Sequence, residues 1–99
     1  MAERKQWNDV RDARMAEPGG EDAYEVARLA FELGRAVRGL RERAGWSQAE
    51  LGAAAGMTQS AIARFEAGGT VPTLVVLERL ASALDATLTV NVTPRSHVA

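Results

Sequence analysis

The sequence predicts a mainly α-helical domain that closes with a single β-strand. Three observations carry that prediction. Between Gly45 and Glu66 two short helices each announce their own start. Ahead of them, over residues 22–44, apolar residues recur at alternating spacings of four and three, the period of a helix with one buried stripe. After Asp85-Ala86 the apolar period drops to two, that of a half-buried strand.

In chain order, residues 7–17 come first, where Trp7, Val10 and Met15 fit a short amphipathic helix only loosely. Pro18-Gly19-Gly20 breaks it, and Glu21-Asp22 supplies acidic residues suited to the positive end of a new helix. The long helix that follows places Val26, Ala30, Leu33, Val37, Leu40 and Ala44 on one stripe. Gly34 and Gly39 lie inside it, each at a cost of about 1 kcal/mol relative to Ala, and small residues there let another helix approach closely. Tyr24, Leu29 and Phe31 cannot all share the stripe. They are surplus apolar surface that either packs on the Trp7 segment or meets a partner.

Ser47 and Glu50 form an S-x-x-E capping box, in which each side chain satisfies a backbone N–H at the other's position. Trp46 and Leu51 stand where a hydrophobic staple fixes the angle of the incoming chain. Gly56 suits the left-handed residue that stops the first short helix. Thr58 caps the second, with Met57 and Ile62 at its staple positions, although Ala61 cannot close a box. Leu51, Ala54 or Ala55, Ile62 and Phe65 face the core, and Gly68-Gly69 ends the second helix. Helix, glycine-bearing turn and helix make a helix-turn-helix unit. By spacing alone the same residues fit any αα-corner.

Thr73 caps a last helix with Leu74, Leu77, Leu80, Ala81 and Leu84 inward, which leaves Val75 or Val76 for a partner surface. Leu88, Val90 and Val92 then alternate with Thr87, Thr89, Asn91 and Thr93. One strand cannot satisfy its own N–H and C=O groups, and no second strand pattern is visible in the chain. The economical arrangement pairs residues 87–93 with the same strand of a second copy, so that Leu88, Val90 and Val92 are dimerisation residues. His97, the only histidine, falls in a tail that reads as solvated.

Composition narrows the function classes. The 99 residues are 46% hydrophobic and 25% charged, as expected of one globular domain with an arm. The absence of cysteine removes disulfides and thiolate metal sites. No apolar run is long enough for a bilayer and the N-terminus lacks a signal-peptide core, so the expected location is cytoplasmic, with no membrane partner. No phosphate loop, H-E-x-x-H, nucleophile–histidine pairing or spaced carboxylate set appears, which points away from an enzyme and from any cofactor or metal. The net charge of −1 is low for a nucleic-acid binder, but it is unevenly spread. Residues 1–34 hold five Lys and Arg against eight Asp and Glu, whereas residues 35–99 hold seven against five.

Residues 33–84 resemble the Xre, or lambda-repressor-like, family of helix-turn-helix domains. The likeness lies in the lead-in from Arg41 to Gly45, S-Q-A-E-L, A-A-G-M-T-Q-S, A-I-A-R-F-E-A-G and the later P-T-L-x-x-L-x-x-L-A-x-A-L. It implies a helix-turn-helix bundle whose second short helix enters the major groove of double-stranded DNA. It also divides the chain into an N-terminal arm and helix extension (1–32), the helix-turn-helix domain (33–86), and a dimerisation strand with tail (87–99). For DNA contact the family pattern points to Ser47 and Gln48 at the first helix start, to Thr58, Gln59 and Ser60 at the second, and to Arg64 one turn on. These residue types suit the task, since Gln can bind adenine and Arg guanine in bidentate fashion; the bland alternative is plain solvation. The resemblance further implies a structural ion pair between Arg41 and Glu66.

Together, the acidic N-terminal region, Y-E-x-A-R-L-A-F-E-L and the strand L-T-V-N-V resemble HigA-type antitoxins. That resemblance implies a homodimer on a palindromic operator, which represses its own operon and neutralises a RelE-like ribonuclease toxin. Tyr24, Phe31 and Arg28 would then be toxin-binding residues. The alternative is a stand-alone Xre-family regulator that responds to a ligand.

Overall fold

Three helix starts fall where the sequence places a capping residue. Ser47, Thr58 and Thr73 each stand in extended backbone and accept a hydrogen bond from the N–H three residues on. They open helices α2 (Gln48–Ala55), α3 (Gln59–Glu66) and α4 (Leu74–Ala83), which follow the 24-residue α1 (Gly20–Arg43). The computed structural model describes residues 20–95, with side chains from Asp22 onward. The helix expected over residues 7–17 lies outside the described residues. The capping box at Ser47 and Glu50 is complete, and Gly56 ends α2 at φ 71°, a left-handed conformation that costs glycine no Cβ clash.

Packing follows from these starts. Val37 of α1, Leu51 and Ala55 of α2, Ile62 and Phe65 of α3, and Leu77 and Leu80 of α4 make one buried cluster. Leu51, Ile62, Phe65 and Leu80 are removed from solvent almost completely, each worth about 1.5–3 kcal/mol of transfer free energy. Trp46 and Met57, the residues just before two of the caps, pack against the same cluster. Helix α1 crosses the end of α3 at Gly34, where an added Cβ would meet the carbonyl oxygens of Phe65 and, at 2.7 Å, Glu66. Gly39 has no such neighbour, since the nearest atom is an Arg43 nitrogen 4.0 Å from an added Cβ; nothing in the structure explains it.

The stripe expected of α1 is buried at Ala30 and Val37, but Val26 at its start remains exposed because it lies beyond the cluster. Of the two alanines left open in α2, Ala55 is inside and Ala54 is outside. Leu74, expected to point inward, is 63% exposed, because α4 meets the core through Leu77 and Leu80 further along. Val76 packs against the core and Val75 is exposed. Among the described residues there is no strand, and residues 86–95 carry no regular secondary structure. A ladder needs a second extended segment, and the single chain offers none. Leu88 packs against its own core, while Val90 and Val92 are exposed. Among the described residues no helix is long and apolar enough to cross a membrane.

Candidate nucleic-acid interface

The starts of α2 and α3 are joined by side chains. Gln59 Nε2 donates to Gln48 Oε1 at 2.8 Å, and Gln48 Nε2 donates to Glu66 Oε1 at 3.1 Å. Arg41 completes the chain with a fork: its Nε donates to Glu66 Oε2 at 2.7 Å and its Nη2 to Oε1 at 3.0 Å. Its remaining Nη1 donates to the Trp46 carbonyl at 2.7 Å, so the helix that carries Arg41 is tied to the turn before α2. A continuous set of hydrogen bonds therefore runs from α1 through the end of α3 to the exposed tip of the helix-turn-helix.

Burial is graded along this chain. The Glu66 side chain is 3% exposed and that of Arg41 11%, whereas Gln59 is exposed. Burial opposes ionisation of Glu66, but hydrogen bonds from Arg41 and Gln48, with the Arg41 charge, together outweigh it and hold the carboxyl below its usual range. Arg41 is held above its usual range, chiefly by its hydrogen bonds to Glu66.

The outward face has its own chemistry. Gln59, Ser60 and Arg64 are exposed, and Ala63 between them is half-buried and too short to hydrogen-bond a base. Ser47 and Thr58 use their side-chain oxygens as caps, accepting from the N–H of Glu50 at 3.0 Å and of Ala61 at 3.1 Å. Each hydroxyl still has its hydrogen to donate to a phosphate oxygen. At the start of α2 the Ser47 N–H already donates to Glu50 Oε1 at 2.8 Å, and this backbone bond, with that of the Ser47 side chain, lowers the Glu50 pKa. That carboxylate occupies the position an anion would favour. The first turn of α3 carries no acidic residue, so its N-terminus is the more receptive to a phosphate or base edge.

The remaining sequence candidates lie elsewhere. Tyr24 and Phe31 are 68% and 51% exposed on α1. Arg28 is engaged within its own helix, donating through Nη2 to Glu25 at 2.9 Å and through Nη1 to Glu32 at 2.6 Å. The Arg35 guanidinium lies 5.9 Å from the centre of the Phe31 ring. Arg35 and Arg38 are not among the sequence candidates, yet both line a groove beside the end of α3. Their signal in the sequence is the Arg35-x-x-Arg38-x-x-Arg41 spacing, which sets three guanidiniums on successive turns of one helix.

Residues 32–90 match the helix-turn-helix domain family, and the chain belongs to that family. Fold and site thus define a DNA-binding regulator of the helix-turn-helix class. No curated protein and no solved structure matches the chain significantly. The matched region begins at Glu32, which leaves Tyr24, Arg28 and Phe31 outside it.

Proposed function

We propose that the chain is a sequence-specific transcriptional repressor that reads DNA from the start of α3, with Gln59 and Ser60 at base edges and Arg64 one turn further along. The observation that carries this reading is the hydrogen-bonded chain from Arg41 through Glu66 and Gln48 to Gln59, which holds an exposed glutamine in a fixed attitude. Pre-set side chains lose less freedom on binding, so they discriminate better between partners. The protein acts as a homodimer on a palindromic operator, linked through residues 87–93. Support comes from the exposure of Val90 and Val92 at 61% and 95%, on a segment with no ladder of its own.

In the same reading the protein is an antitoxin of HigA type, which neutralises a RelE-like ribonuclease toxin and represses its own operon. The exposed Tyr24 and Phe31, on a helix extension beyond the family domain, favour a protein partner. Arg28 contributes there as part of a Glu25–Arg28–Glu32 cluster rather than as a free cation. A stand-alone regulator responding to a small ligand is favoured by a different feature. This is an apolar groove of about 460 Å³ between Val26, Ala27 and Ala30 of α1 and Val71.

Enrichment of duplexes from a random-sequence pool tests the DNA reading: recovery of a two-fold symmetric consensus is expected, and no enrichment would sink it. The partner reading is tested by co-expression with any basic reading frame adjacent to the gene, followed by pull-down. The Tyr24→Ala, Phe31→Ala double variant should lose the partner and keep the operator. Loss of both, with a lower melting temperature, would place these residues in the fold instead.

A further inference from the structure

We propose that Arg35 and Arg38 of α1 clamp the sugar–phosphate backbone of DNA where it passes the C-terminal end of α3. The inference rests on the DNA-binding reading and adds to it a sequence-independent contact surface on a different helix. An open groove of about 470 Å³ lies between α1 and the end of α3, walled by Phe31, Arg35, Arg38, Glu42, Glu66 and Ala67. Ala67 is exposed and continues the outward stripe of α3, following Ser60 and Arg64 at helical spacing. From Gln59 to Ala67 the chain advances about 12 Å, which matches the width of the major groove of about 12 Å. When the start of α3 is against base edges, its end is therefore at the groove wall, where the phosphates run.

The charges in this groove are arranged for an anion. Glu66 is already neutralised by the Arg41 fork, so its carboxylate does not repel a phosphate. Arg35 makes no ion pair among the described residues; it lies over the Phe31 ring, which orients the guanidinium without cancelling its charge. Arg38 leans on Glu42 through one bond of 3.3 Å, with both side chains more than half exposed. Such a pair contributes little in water, and a phosphate oxygen can replace it. Two guanidiniums one turn apart offer planar, fork-shaped donors that match the geometry of a phosphodiester. They also stand at the start of the basic part of the chain, residues 35–99.

The experiment measures affinity of the full chain by fluorescence anisotropy over a KCl series. Two probes are used: a 20-bp duplex of random sequence and the duplex that wild-type protein enriches from a random pool. Neutralising a phosphate contact lowers the slope of log affinity against log salt by about 0.9. The Arg35→Ala, Arg38→Ala variant should therefore lose about 1.8 from the slope and weaken both duplexes by the same factor, leaving their ratio unchanged. Arg35→Lys with Arg38→Lys should keep the slope, and Glu42→Gln should tighten both complexes by freeing Arg38. If the double alanine variant melts lower than wild type, Arg35→Gln and Arg38→Gln are measured singly, each expected to lose about 0.9. An unchanged slope with an intact fold overturns the clamp, as does a loss confined to the enriched duplex, which would make the arginines base readers. Wild-type protein that binds neither duplex overturns the DNA-binding reading itself and the clamp with it.

Discussion

Gln59 gives one amide hydrogen to Gln48 Oε1 at 2.8 Å, so the first residue of α3 is aimed by the first residue of α2. This leaves Gln59 with its carbonyl oxygen and a second amide hydrogen, the pair an adenine edge requires at N6 and N7. Gln48 in turn is fixed by Glu66 at 3.1 Å, which makes the aim a consequence of the ion pair beneath it.

Replacing Gln59 with Ala should cut discrimination at one base-pair position by about 1–3 kcal/mol. Competition binding with operator variants at every position reads this directly. Gln48→Ala should blur the same position by a smaller amount, because the reader remains but loses its tether. Unchanged preferences in the Gln59 variant would show that α3 reads through other residues.

The Arg41–Glu66 pair predicts a pH dependence with a definite sign. The Glu66 carboxyl lies below its unfolded-state value, so the unfolded chain takes up a proton first. The stability it supplies is complete above about pH 4.3, the ordinary glutamate value, and is lost as pH falls through the depressed native value. Glu50 shifts in the same direction, its capping bonds favouring the charged form. Urea denaturation across pH 7 to pH 3 should show stability declining at the acid end, less steeply in Glu66→Gln. Arg41→Ala strands a carboxylate that is 3% exposed and should cost about 3–5 kcal/mol at neutral pH.

Two glycines of α1 should respond oppositely to the same substitution. At Gly34 an alanine Cβ would press on the backbone of Phe65 and Glu66, so Gly34→Ala forces α1 away from α3 and should cost about 1–3 kcal/mol. At Gly39 the new methyl meets only the tip of Arg43, and Gly39→Ala should stabilise by about 0.4–1 kcal/mol. Equal effects at both sites would mean that helix propensity, not the crossing, decides.

The contrast between those glycines marks what the sequence could and could not specify. Ser47, Thr58 and Thr73 were legible as caps because a cap is decided within four residues of chain. Gly34 and Gly39 look alike in sequence, and only the crossing over α3 separates them. Leu74 carries the same period as Leu77, yet it lies outside the core because helical period fixes direction and not how far the neighbouring helices extend. The double engagement of Gln48 depends on Glu66, 18 residues away, and has no local signature. The Glu25–Arg28–Glu32 cluster, by contrast, follows from i,i+3 and i,i+4 spacing.

The proposed dimer can now be separated from the stability of the fold. Leu88 packs on the core of its own chain, so Leu88→Ala should lower stability in every assembly state. Val90 and Val92 are exposed in the single chain, so charges there should leave the helices intact. In a two-fold ladder of residues 87–93 the same charges would face each other across the pair, where like charges are destabilising. Val90→Glu with Val92→Glu should therefore sediment as a monomer at micromolar concentration, with an unchanged melting profile. Operator affinity should fall sharply, because the second half-site is no longer delivered by a linked recognition helix about 34 Å away. Binding to an isolated half-site should be unaffected. Were the variant still dimeric, the exposed Leu74 and Val75 on α4 would be the residues to test next, and the strand would have no part in assembly.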